Sequence, residues 1–235
     1  MILIDQPYVS DFLKKTIKEN HFEVIATKQA KALFSDATVN WITESDAAKV
    51  LTQQINPLVY TNSENSLKWV FDNLKITNLP GQINLFKDKF KFRELIKSLF
   101  PNFLFQKITL DEIQNLDVNQ LKLPFVIKPS VGFFSIGVYV INTMQDWEKA
   151  KKELNYDHLK SIYPPEVMDS STFIIEEYIQ GEEYAVDAYF NNQGEVVILN
   201  ILHHIFSSTT DVSDRVYSTS KRIIKKYKEP LESFL

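Results

Sequence analysis

Two stretches of this 235-residue chain place charged and donor groups at the ends of apolar runs. The first is Pro124-Phe125-Val126-Ile127-Lys128-Pro129-Ser130, continuing as Val131-Gly132-Phe133-Phe134-Ser135-Ile136-Gly137-Val138. A lysine closing an apolar strand is costly to bury without an anion beside it, and the loop that follows offers backbone N–H groups and the hydroxyls of Ser130 and Ser135. Lysine with such donors suits a nucleotide phosphate. The same residues also fit a strand end whose lysine reaches water beside a flexible hairpin. The second stretch is Phe173-Ile174-Ile175-Glu176-Glu177-Tyr178-Ile179-Gln180-Gly181-Glu182-Glu183-Tyr184. Paired acids after an apolar strand, a glycine-bearing turn and a further acid entering a new strand make a hinge. Its backbone could read an adenine edge, and Glu183 could accept hydrogen bonds from ribose hydroxyls. A charged β-turn is the alternative for this segment taken by itself.

The elements that must carry these groups are legible from periodicity. Phe125 to Pro129 and Val138 to Ile141 read as strands, and Thr143 with Asp146 opens a helix through Leu154. Phe173 to Ile179 and Tyr184 to Phe190 are strands, and Asn191-Asn192-Gln193-Gly194 turns into a third from Val196 to Phe206. Upstream, Asp88 caps a helix with Phe92, Leu95, Ile96 and Leu99 on its buried stripe, Phe103 to Ile108 is a strand, and Thr109 with Glu112 forms a capping box. A basic helix starting near Thr219 closes the chain. The first eighty residues differ in texture: short apolar runs at 1–5, 22–26, 38–43 and 57–60 alternate with helical patterns. Leu67, Val70, Phe71 and Leu74 give the clearest of these. That alternation predicts an open α/β sheet. No G-x-G-x-x-G follows the first strand, where Asp5-Gln6-Pro7-Tyr8 stands, so a dinucleotide site is rejected there. Leu79-Pro80-Gly81 reads as a turn, predicting an N-terminal α/β domain over 1–80 and a second domain over 81–235.

Composition narrows the function classes. Net charge is −4, which removes any global field toward nucleic acid or anionic lipid. Zero cysteines exclude disulfide scaffolds, thiol catalysis and thiolate metal sites. No apolar run approaches the roughly 18 residues of a membrane span, and Met1-Ile2-Leu3-Ile4-Asp5 has no basic leader, so a cytoplasmic protein is expected. Of only 5 glycines, four fall between 132 and 194, where special backbone geometry is therefore concentrated. His203 and His204 are adjacent in a strand, so their side chains point to opposite faces and cannot share one metal. The lysines from 221 to 228 read as a solvated helix face.

Together, from about Leu85 to Phe206, the two stretches resemble the ATP-grasp superfamily of carboxylate–amine or –thiol ligases in order and separation. The resemblance implies that Lys89, after Asp88 at a helix start, and Lys128 contact phosphate. Ser130, Ser135 and Gly137 would belong to a loop closing over the phosphates, expected to move without nucleotide. It further implies that the backbone of Glu177 and Ile179 meets adenine, that Glu176 lies near the adenine amino group, and that Glu183 faces ribose. The implied fold is a pre-ATP-grasp-like α/β domain, helping to form the acceptor site, followed by an ATP-grasp domain. The implied cofactors are ATP and Mg2+, and the partners are small-molecule carboxylate and amine substrates, with no nucleic acid, no membrane and a homodimer left open. The implied chemistry is activation of a carboxylate as acyl-phosphate for attack by an amine. Two features depart from the family pattern: Phe133 and Phe134 sit in the phosphate loop, and no acidic pair for magnesium follows Asp214. On that reading the ATP-grasp fold is truncated at its C-terminus, the metal ligands lie beyond the chain, and this chain alone is inactive. The alternative function is a non-catalytic nucleotide-binding or interaction module with a degenerate ATP-grasp fold.

Overall fold

The computed structural model describes residues 1–132, 137–154, 171–191, 193–207 and 216–235, and the chain divides into two compact units, Met1–Lys87 and Asp88–Leu235. In the first unit, β1 (Ile2–Leu3), β2 (Val24–Ile25), β3 (Trp41–Ile42) and β4 (Tyr60–Thr61) form a parallel sheet in the order β3-β2-β1-β4. Between and after them run α1 (Asp11–Glu19), α2 (Lys28–Leu33), α3 (Glu44–Thr52), α4 (Leu67–Asn73) and α5 (Leu79–Lys87). Ile2 and Ile4 pack with Val9, Ile17 and Val24 on one face, whereas Leu3 and Ile25 pack with Leu51, Val70 and Leu74 on the other. A sheet covered on both faces needs continuous apolar strands, which is what the short N-terminal runs supply. The β1 ladder stops at Leu3 because the Asp5 N–H is taken by the Asn62 side chain at 2.9 Å. Ser10, Thr27 and Thr43 cap α1, α2 and α3 by accepting from the N–H groups of Leu13, Ala30 and Asp46.

Two local expectations are corrected. The helix capped by Asp88 ends at Ile96, and Leu95 and Leu99, expected on its buried stripe, are 51% and 58% exposed. Leu79-Pro80-Gly81 is the first turn of α5 and not a turn between elements. Proline is tolerated there because the N–H it lacks would have no intrahelical acceptor.

The second unit opens with α6 (Lys89–Ile96) and continues through β5 (Phe105–Thr109), α7 (Leu110–Asn115), β6 (Phe125–Pro129), β7 (Tyr139–Ile141), α8 (Met144–Glu153) and β8 (Thr172–Glu177). Then come β9 (Tyr184–Phe190), β10 (Val196–His204), β11 (Tyr217–Ser218) and α9 (Lys221–Phe234). Two antiparallel sheets result, ordered β5-β8-β6-β7 and β11-β10-β9. The first holds the main core: Phe125, Ile127, Ile141, Phe173 and Ile175 meet Ile113 from α7 and Trp147, Ala150 and Leu154 from the α8 region. The rings of Trp147 and Phe125 meet edge to face at 5.9 Å. Each large side chain so buried is worth about 1.5–3 kcal/mol, which anchors the sheet beneath the charged groups. The expected capping box of Thr109 with Glu112 forms, and Thr143 with Asp146, expected to open a helix, forms a second one. Among the described residues no helix is long and apolar enough to cross a membrane.

Candidate functional site

Side chains alternate along a strand, so the register of β6 against β8 decides which groups can meet. Val126 pairs with Glu176 and Lys128 with Ile174, which puts Lys128 and Glu176 on one face as diagonal neighbours across the strands. The opposite face carries Phe125, Ile127 and Ile175 into the core. Phe105 of β5 pairs with Glu176 and so joins the same polar face. Over it lies α6, whose Phe90 packs edge to face on Phe105 at 5.7 Å. Lys89 and Arg93 are four residues apart on that helix and therefore share its surface.

The result is a three-charge cluster. The Glu176 carboxylate, 5% exposed, accepts from Arg93 Nε at 2.8 Å through one oxygen and from Lys128 Nζ through the other. The Arg93 guanidinium also lies 4.5 Å from the centroid of the Phe103 ring. Burial pushes the Glu176 carboxyl up, but hydrogen bonding from Arg93 and the charge and hydrogen bond of Lys128 outweigh it, so the group is held below the ordinary carboxylate range. One buried anion thus fixes two cations. The cluster's formal charge is +1, a surplus that suits an anionic ligand. Arg93 was missed in the sequence reading, although its spacing from Lys89 was the available signal.

The other expected phosphate contacts divide. Lys89 Nζ donates to the Gly132 carbonyl at 3.0 Å, while its own N–H donates to the Ser130 carbonyl at 2.8 Å. The lysine is therefore held against the start of the loop that follows β6. Asp88 caps α6 by accepting from the N–H groups of Phe90 and Lys91, and it accepts the Ser130 hydroxyl as well. Desolvation raises the Asp88 carboxyl, yet the bonds from Ser130, Lys91 and Phe90 together hold it below its usual value. Ser130 is 1% exposed with its hydroxyl committed to Asp88, so in this structure it fastens a strand end to a helix start and does not present a donor. Gly137 adopts φ +71°, and a Cβ there would lie 3.0 Å from Pro129 Cγ, so the loop returns to the sheet through a position that only glycine fills without strain. Ser135, with Phe133 and Phe134, lies outside the described residues.

Beyond Glu177 the chain leaves β8 and crosses to the other sheet. The Glu177 N–H donates to the Leu104 carbonyl at 2.9 Å, so the group Glu177 can offer an adenine amino group is its carbonyl oxygen. Ile179 is 62% exposed, and Gly181 turns the segment at φ +148°. Glu183 then meets His204 of β10: its carboxylate lies 2.9 Å from Nδ1, and its carbonyl accepts the His204 N–H at 2.9 Å. The two histidines do face opposite ways. His203 stacks on Tyr184 and His204 on Tyr217. Among the described residues no group of three or more His, Asp or Glu side chains is placed to hold a metal ion.

Residues 121–235 match the family model described as an ATP-grasp domain. No curated protein sequence matches the chain. Among solved structures, the L-amino acid ligase from Bacillus licheniformis is similar at a TM-score of 0.61 and 18% identity, over 98% of this chain and 59% of that one. The N5-carboxyaminoimidazole synthetase from Staphylococcus aureus, solved as a complex with ADP, is similar at a TM-score of 0.57 and 15% identity, over 99% of this chain and 61% of that one. The N5-carboxyaminoimidazole ribonucleotide synthetase from Thermotoga maritima gives 0.54 and 15%, over 99% and 59%. At these identities the likeness is one of fold, and the chain spans about three fifths of the length of each neighbour.

Proposed function

We propose that this chain holds ATP for a ligase reaction joining a carboxylate to an amine, a reading supported by the match of residues 121–235 to the ATP-grasp domain model. The observation that carries the reading is the cluster of Lys128, Glu176 and Arg93, which ties the strand that runs into the glycine-bearing loop to the antiparallel strand that runs into the exposed hinge. Adenine is read at the hinge, by the Glu177 carbonyl and the Ile179 N–H, with Glu176 near the amino group. Glu183 faces the ribose. Lys128 and Lys89 receive phosphate oxygens, with the loop from Ser130 to Gly137 beside them.

In the proposed reaction a carboxylate oxygen of the substrate attacks the γ-phosphorus, the bond to the β-phosphate oxygen breaks, and ADP leaves. The amine then attacks the acyl carbon and expels phosphate. Phosphoryl transfer of this kind needs positioning and charge neutralisation more than a protein nucleophile; Lys128, fixed by the buried Glu176 carboxylate, and Lys89, held at the Gly132 carbonyl, supply both. Magnesium, expected to arrive with the nucleotide, would add charge at the phosphates, and no step is routed through it. The neighbours named as ligases and synthetases support the class of reaction, whereas the identities of carboxylate and amine lie in loops that differ between such proteins.

Calorimetric titration with ATP and with GTP tests the reading. The expected result is ATP binding favoured by at least about tenfold, because a hinge built for an amino group leaves polar atoms unpaired against a guanine carbonyl. Equal affinity for both, or no binding of either, overturns it.

A further inference from the structure

We propose that His204 is the positioning residue for the ribose contact: it holds one oxygen of Glu183 so that the other is presented to the ribose hydroxyls. The inference rests on the reading that Glu183 faces ribose, and it adds a residue from a different strand to that contact. Glu183 is 65% exposed by its side chain, and a solvated glutamate at a hinge would ordinarily sample several rotamers. His204 is its opposite, 5% exposed and in contact with two aromatic rings. Its imidazole stacks on Tyr217 at 4.6 Å and 22°, and the Phe206 ring lies 3.9 Å away. The rigid member of the pair therefore dictates the position of the mobile one.

The chemistry of the contact is equally directional. A carboxylate can only accept, so Nδ1 of His204 carries the proton across the 2.9 Å contact with Oε1. That bond occupies one carboxylate oxygen and leaves Oε2 as the acceptor for a hydroxyl pair. The backbone adds a second tie, since the His204 N–H donates to the Glu183 carbonyl at 2.9 Å, fixing the stem as well as the tip. Neighbouring His203 takes no part in this arrangement. It lies on the other face of β10, stacked on Tyr184, with Nε2 4.0 Å from Glu182.

The test compares ATP with 2′,3′-dideoxy-ATP by calorimetry, since the ratio of their affinities isolates the ribose hydroxyls from adenine and phosphate. Wild type is expected to favour ATP by about 10- to 100-fold, the worth of a charge-assisted hydrogen bond. His204→Phe, which keeps the stacking and loses the donor, is expected to bring the ratio to within about threefold of unity, as Glu183→Gln also weakens it, while dideoxy-ATP affinity changes little. His204→Asn restores a donor near the Nδ1 position and recovers part of the ratio. A purely structural histidine would weaken both nucleotides alike and leave the ratio intact, which overturns the inference while the ribose reading stands. A wild-type ratio near one overturns the ribose reading itself. Independently of any variant, the imidazole Nδ1 resonance of His204 in wild-type protein is expected to shift on adding ATP more than on adding dideoxy-ATP. Equal shifts contradict the proposal.

Discussion

Replacing Glu176 with glutamine removes one charge and almost no volume, and the structure sets what that costs. The carboxylate is 5% exposed and is the shared partner of Arg93 and Lys128, so Glu176→Gln leaves two cations facing a neutral amide. Taking one partner from a buried ion pair costs about 3–5 kcal/mol. Both cations retain side-chain exposures of 20%, through which water relieves part of the loss, so a cost at or just below the bottom of that range, about 2–3 kcal/mol, is expected. Lys128→Met alone leaves Glu176 with Arg93 and should cost about 1.5–3 kcal/mol. The double variant removes the anion together with one stranded cation, so its cost should fall short of the sum by at least about 1 kcal/mol. Urea unfolding at neutral pH reads this. Fluorescence of Trp147, buried in the second unit, serves as the probe in a Trp41→Phe/Trp69→Phe background so that this unit is followed alone. Additivity of the two changes to within about 0.5 kcal/mol would refute the reasoning, since it would mean that the three groups are not coupled.

The same cluster sets a pH dependence. Because the folded Glu176 carboxyl lies below its ordinary value of 4.5, its stabilisation is fully present above that value and is lost as pH falls through the lower folded value. Acid titration of the unfolding midpoint should therefore be steeper in wild type than in Glu176→Gln, and parallel curves would contradict it. Gly137→Ala must place a side chain at φ +71° with its Cβ 3.0 Å from Pro129, and should cost about 1–3 kcal/mol by chemical denaturation; a cost near zero would mean that the loop closes differently. Ser130→Ala strips the half-buried Asp88 carboxylate of its hydroxyl donor and should cost about 1–3 kcal/mol in unfolding free energy, with any loss of ATP affinity following through α6.

The strands that frame the site were readable because their signals are local. Phe125 to Pro129 and Tyr184 to Phe190 emerge with the bounds their patterns suggested, and both capping boxes form where Thr-x-x-acid spacing placed them. Local pattern failed at Leu79-Pro80-Gly81, where proline and glycine suggested a turn but proline fits a helix's first turn equally well. What sequence could not supply is pairing between distant elements. The meeting of Lys128 with Glu176 depends on the β6–β8 register, and that of Glu183 with His204 on β10 returning beside the hinge. Ser130 shows the converse: a hydroxyl in a loop beside a lysine suggested a phosphate donor, and only the tertiary structure reveals Asp88 as its partner. The family match over residues 121–235 agrees with the resemblance drawn from the lysine strand and the acidic hinge.

The most direct test of the central claim is calorimetric titration of a non-hydrolysable ATP analogue into wild type and Lys128→Ala. The account predicts binding by wild type and a loss of about 1–3 kcal/mol, roughly 5- to 150-fold in affinity, in the variant, as expected for a lysine that meets phosphate oxygens. Equal affinities, or no binding by wild type, would contradict it.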